Sequence, residues 1–175
     1  MAHGDPKHPK KNPHPVQRYE VIATADAPGP WDKVSGTVFF DVVNLACTPK
    51  DKFLGVHAKP QDVAIDFEMA RTGKNTWTGH FYRDAMLDED YYGLGICHWD
   101  ATSVTPVFTT HGETFGAAIG FDEGLRESQL MYFKKSDYAS RSLKQAYGTT
   151  SKDSEVIHHP DAFFSIRVTV REMTP

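Results

Sequence analysis

Asp62-Val63-Ala64-Ile65-Asp66-Phe67-Glu68-Met69-Ala70 alternates strictly, with Val63, Ile65, Phe67 and Met69 pointing one way and Ala64, Asp66, Glu68 and Ala70 the other. A period of two is the mark of a strand with one buried face. Thr72-Gly73-Lys74-Asn75 follows with turn chemistry, and Thr76–Arg83 resumes the extended pattern, so 62–83 reads as a hairpin. The same alternation recurs at the C-terminus, where Phe164, Ile166, Val168 and Val170 interleave with Ser165, Arg167, Thr169 and Arg171.

Working outward, Tyr19, Val21 and Ala23 alternate, and 36–46 is a long apolar strand candidate. Further candidates are 91–99, 103–110, 114–121 and 128–135. Pro106 demotes 103–110 to an edge or broken strand, because proline cannot donate to the ladder. Only 137–147 reads as helical, capped by Ser136 or Asp137 and ended by Gly148; residues 148–161 read as a polar loop. In 91–99 both faces can be buried, which places it centrally. Short strands at near-regular spacing predict an all-β fold, an antiparallel β-sandwich of immunoglobulin-like or related type with one short helix, and a barrel as the second choice. The chain's 175 residues suit one domain. Eleven Phe, seven Tyr and three Trp supply a core despite only 39% apolar residues.

Residues 1–17, with four prolines and almost no apolar side chains, read as a flexible N-terminal tether; 18–175 form the domain. His3, His8 and His14 belong to that tether's composition rather than to a metal site. Lys7, Lys10, Lys11 and Arg18 against Asp5 give the first eighteen residues about +3, so of the net −4 the rest carries about −7. A body of that sign excludes nucleic acid as a partner. No apolar run is long enough to span a membrane, and no signal-peptide core is visible.

Cys47 and Cys97 each lie at the end of a strand candidate. A bridge between them closes a loop worth about 4 kcal/mol in the chain-entropy model and implies an oxidising compartment, most simply the periplasm. Two buried free thiols are the alternative. Asp84, Asp88, Glu89 and Asp90 crowd four carboxylates into a short stretch. They read as a charged connection, as an acidic face for a partner's cations, or, more weakly, as a calcium loop lacking the usual spacing. Tyr91 and Tyr92 follow them as aromatic anchors, and His158-His159 precede Pro160 in the late loop; these eight residues form the candidate partner-binding set. The remaining histidines, 57, 80, 98 and 111, form no H-E-x-x-H pair, and neither G-x-S-x-G nor a phosphate-binding glycine loop occurs. No catalytic residue is assigned, no resident cofactor or metal is expected, and the chain reads as a non-enzyme.

Asn44-Leu45-Ala46-Cys47-Thr48-Pro49, Tyr82-Arg83-Asp84 and Asp88 through Trp99 together resemble a little-characterised family of bacterial exported proteins and lipoproteins. More loosely, they resemble immunity proteins that neutralise toxins delivered by type VI or type IV secretion. The similarity spans roughly 36–121. It implies a periplasmic inhibitor that occludes the active site of a cognate toxin, with a membrane tether through a removed leader; it carries over no catalytic residues. Two alternatives stand beside it. One is a calcium- or carbohydrate-binding β-module using Trp31, Trp77, Tyr91 and Tyr92 with Asp88 and Asp90. The other is an enzyme in whose cleft His98 or His158 meets a carboxylate.

Overall fold

The computed structural model describes residues 3–121, 128–141 and 144–174. In chain order the elements are β1 (Arg18–Asp26), β2 (Lys33–Val42), β3 (Val63–Arg71), β4 (Thr76–Tyr82), β5 (Trp99–Thr110), β6 (Glu113–Gly116), β7 (Ile119–Gly120), β8 (Ser128–Lys134), α1 (Lys135–Ala139), β9 (Gln145–Ala146), α2 (Ser154–His158) and β10 (Phe163–Glu172). The all-β, mostly antiparallel reading holds. The strands form one continuous sheet, in the order β8-β10-β1-β4-β3-β2-β5-β6-β9 with β7 beside β5, rather than two stacked sheets. Just after β9, Thr149 exchanges both backbone hydrogen bonds with Tyr132 of β8 (2.8 and 2.9 Å), so the two ends of the path meet and the sheet is barrel-like.

Alternation fills the interior. Val21, Ala23 and Ala25 of β1, Val38 and Phe40 of β2, Val104 and Phe108 of β5, and Ile166, Val168 and Val170 of β10 are all buried. Where β2 and β3 pair, the Phe67 ring lies over Gly36; a Cβ there would stand 2.2 Å from Phe67 Cζ, which is why the position carries no side chain. One end of the barrel is plugged by aromatic rings. Trp31 packs on Phe108, Phe115, Tyr138 and Phe164 with centroids 5.1–6.1 Å apart.

Several expectations give way here for local reasons. Segment 91–99 is not a strand until Trp99. Asp90 Oδ1 accepts from the N–H groups of Tyr92 and Gly93, and Gly93 and Gly95 take φ of 74° and 111°, which breaks any extended run. Leu94 and Ile96 are consequently exposed. Strand 103–110 is not an edge: as part of β5 it lies between β2 and β6/β7. Pro106 is accommodated because it faces the interruption between β6 and β7, where its carbonyl accepts from Ala117 N. It splits the neighbouring strand instead of demoting its own. A bulge opposite Phe39/Phe40 shifts the inward phase of β5, so Ala101 and Val104 both face the core.

The helix expected over 137–147 is a single turn, α1; residues 142–143 lie outside the described residues, and 145–146 form β9. Tyr138 donates its hydroxyl to Pro30 O, and Thr114 N takes Lys144 O, so β6 draws this stretch into the sheet. The 148–161 loop contains α2, capped by the Asp153 carboxylate on Glu155 N. The N-terminal segment is laid against the barrel rather than free: Asn12 N donates to Ala85 O, Leu87 N to Lys10 O, and Gln61 N to Pro6 O.

The β5–β6 turn, His111-Gly112, has both residues at positive φ, as two-residue hairpins require. It aims Glu113 inward. Glu113 is 0% exposed and neither carboxylate oxygen has a hydrogen-bond partner. Burial, reinforced by Asp137 and opposed by His111, raises its pKa above the ordinary glutamate range. A raised folded-state pKa favours the neutral acid, so stability is fully present below the unfolded value and is lost as pH rises through the folded one. Glu113→Gln is therefore expected to melt higher than the parent at pH 7, and the gap should close below about pH 4; parallel melts across pH 3–8 check this. Gly36→Val should lower stability by about 1–3 kcal/mol through overpacking on Phe67, read from urea midpoints.

Candidate functional site

At the opposite end, two long connections cover the barrel, 43–62 between β2 and β3 and 83–98 between β4 and β5. Cys47 and Cys97 join them by a disulfide with Cα atoms 5.3 Å apart. Asn44 clamps the same seam: its Nδ2 donates to Ile96 O (2.8 Å) and its Oδ1 accepts from His98 N (2.7 Å). Val43 N adds a bond to His98 O, and Cys97 N one to Glu89 O. Loops this long are ordinarily the least constrained part of a fold; here each is held by the other.

Arg83, just past β4, reaches the second residue of β5. Its Nε and Nη2 donate to the two carboxylate oxygens of Asp100 at 2.7 and 2.8 Å, a bidentate pair. The guanidinium also lies 5.3 Å from the Phe121 ring centroid and 5.9 Å from that of Tyr19. The bond to Asp100 raises the Arg83 pKa beyond its already high value, so it stays charged at every accessible pH.

Each acidic residue named from the sequence is placed here, and most serve the chain's own backbone. Asp84 accepts from Val16 N and Gln17 N (both 2.9 Å), pinning the incoming N-terminal segment. Asp88 Oδ1 accepts from Trp99 N (2.9 Å) and its Oδ2 lies 2.7 Å from His98 Nδ1. Glu89 stands 4.0 Å from Lys10 and keeps one buried oxygen without a partner. For Asp90, burial pulls the pKa upward, but the N–H groups of Gly93 and Tyr92, with His3, outweigh it and hold the carboxyl below the usual range. Tyr91 is only 4% exposed and accepts a bond from Trp99 Nε1, and burial raises its pKa; burial raises that of half-buried Tyr92 as well. His158 and His159 are elsewhere. They end α2 ahead of Phe163, at the aromatic-plugged end, and His158 Nδ1 bonds Ser154 O. The fold does not bring them to the acidic group.

Asn12, Gln17, Arg83, Asp84, Asp88 and Asp100 line an open cavity of about 540 Å³ beside Trp99. It lies within the size range of ligand clefts, but its lining is polar and carboxylate-rich. Among the described residues, no cluster of three His, Cys, Asp or Glu side chains is arranged to hold a metal ion. Trp31 and Trp77, named for sugar stacking, are committed to ring contacts with Phe108. His98 meets Asp88 at the distance the enzyme alternative requires. Among the described residues no hydroxyl or thiol is hydrogen-bonded to that imidazole.

The sequence reading missed an apolar surface around the disulfide. Val43, Leu45, Leu94 and Ile96 are exposed on the two joined loops, and Phe53, Leu54 and Val56 on the 43–62 connection. Assigning 36–46 and 91–99 to strands hid the first four; Phe53-Leu54-Gly55 between lysines was the available signal for the rest. Comparison with protein-family models, curated proteins and solved structures finds no match to this chain. Fold and site together describe an all-β protein whose loop-bearing end is stapled by a disulfide, the chemistry of an oxidising compartment. Replacing both cysteines by alanine is expected to cost about 2–4 kcal/mol of stability, measured by denaturant unfolding with and without reductant.

Proposed function

We propose that this is an extracytoplasmic protein-binding module, placed in the periplasm, whose stapled end receives a basic segment of its partner in the manner of an immunity protein occluding a toxin's active site. The observation that carries the reading is the cleft lined by Arg83, Asp84 and Asp88 of the 83–98 connection, Asp100 of β5 and Asn12 and Gln17 of the N-terminal segment, a wall that Cys47–Cys97 and Asn44 tie to the 43–62 connection. Preorganised loops lose little freedom on binding, so more of the contact energy remains as affinity. The cleft lining contains three carboxylates, from Asp84, Asp88 and Asp100, against the single guanidinium of Arg83, which Asp100 already holds in a bidentate pair. An acidic concavity of this kind selects and steers cationic partners.

The test is calorimetric titration with the product of a toxin gene adjacent to this one. Nanomolar binding is expected, with Asp88→Asn weakening it by about tenfold or more and flattening its salt dependence. Absence of binding, or an Asp88→Asn variant that binds as the parent does at low salt, would remove the proposal.

A further inference from the structure

Beyond Cys47 the chain folds back on itself as a narrow ribbon. Ala58 N donates to Pro49 O (2.9 Å), Lys50 and His57 form an antiparallel bridge, and Asp51 N donates to Val56 O (2.8 Å). The root is fixed by the disulfide and by Thr48, whose Oγ1 bonds Leu45 O and lies 2.9 Å from His57 Nδ1. At the tip the Asp51 carboxylate turns back to accept from Phe53 N and Leu54 N, both at 2.8 Å; Gly55 N donates to Asp51 O, and Gly55 takes a φ of 70°. The tip therefore satisfies the N–H groups of Phe53, Leu54 and Gly55 internally and leaves its apolar side chains exposed. Phe53 is 96% exposed, Leu54 68% and Val56 57%, and every residue from 51 to 56 faces solvent. Single exposed apolar residues are ordinary, but three held together on a self-bonded turn form a surface built for contact.

The charges around this tip indicate what it meets. Lys50 and Lys52 flank it, exposed and, among the described residues, without an ion-pair partner. Lys7, also exposed, adjoins Pro6, whose carbonyl takes Gln61 N near the ribbon's root. Asp51 turns its carboxylate onto the turn's own N–H groups, so residues 50–56 carry two lysines against one aspartate, while Asp41 pairs with Lys59 and Asp62 stands beside that pair. On a body that is acidic overall, an apolar tip with an ammonium collar complements an anionic lipid surface, where apolar side chains enter the headgroup boundary and lysines meet phosphates. Because the N–H groups of Phe53 and Leu54 are satisfied by Asp51, these two residues enter that layer without stranding them.

We propose that the 48–58 ribbon is a membrane-docking loop, with Phe53 and Leu54 entering the interface of an anionic bilayer and Lys50, Lys52 and Lys7 contacting its phosphates. The experiment is sedimentation of the full protein with phosphatidylglycerol-containing vesicles and with pure phosphatidylcholine vesicles. Binding is expected to the anionic vesicles and to fall with salt. Phe53→Ser with Leu54→Ser should lower the partition coefficient about tenfold or more, and Lys50→Gln with Lys52→Gln should remove the preference for anionic lipid. All four positions are exposed, so unchanged melting curves certify the variants as folded. A Phe53→Trp reporter should shift to the blue on the same vesicles. The proposal is overturned if the parent ignores both vesicle types, if it binds them equally, or if the serine variant binds as the parent does. A reporter that shifts only with a protein partner, and never with vesicles, overturns it too and assigns the tip to a protein pocket.

Discussion

Two long connections meet over one end of the barrel, and neither carries enough regular structure to hold itself in place. The covalent link between Cys47 and Cys97 makes them one unit. Asn44 then pairs their backbones, His98 and Trp99 are brought beside Asp88, and the 48–58 ribbon gains a fixed root. Without that closure the entropy of 43–62 and 83–98 would oppose every one of these contacts.

The two ends of the barrel are built on different physics. One is closed by rings, with Trp31, Phe115, Tyr138 and Phe164 packed in tilted and edge-on pairs, and it tolerates a covered, unpartnered Glu113. The other is closed by carboxylates that accept backbone N–H groups, by a bidentate Arg83–Asp100 pair and by a disulfide. A rigid wall between them lets the polar end display a cleft and an apolar turn without disturbing the core.

Legibility in the sequence followed how local each signal was. Segments 62–70 and 163–172 were readable because each faces the core on one side and solvent on the other along its length. Segment 91–99 misled because an apparent alternation of Tyr, Gly and Cys concealed two glycines at positive φ and an aspartate capping a turn. Pro106 misled because its consequence fell on the strand opposite, at a position that only the β5 pairing defines. Of the candidate partner-binding residues, Asp84 through Tyr92 share the 83–98 connection by adjacency, but only Asp84 and Asp88 of them line the cleft, whereas His158 and His159 went to the far end with α2.

The sequence by itself determined what nearest-neighbour chemistry can determine: extended, half-buried segments, turn positions, an acidic cluster, and two cysteines each at the end of an apolar segment. Tertiary structure decided the rest. Closure of the sheet through Tyr132 and Thr149, the bulge that shifts the phase of β5, and the exposure of Phe53 and Leu54 depend on which distant strands pair and in what register. Periodicity records that a residue faces a core, but the identity of the opposing strand is a long-range choice made by packing the whole barrel at once.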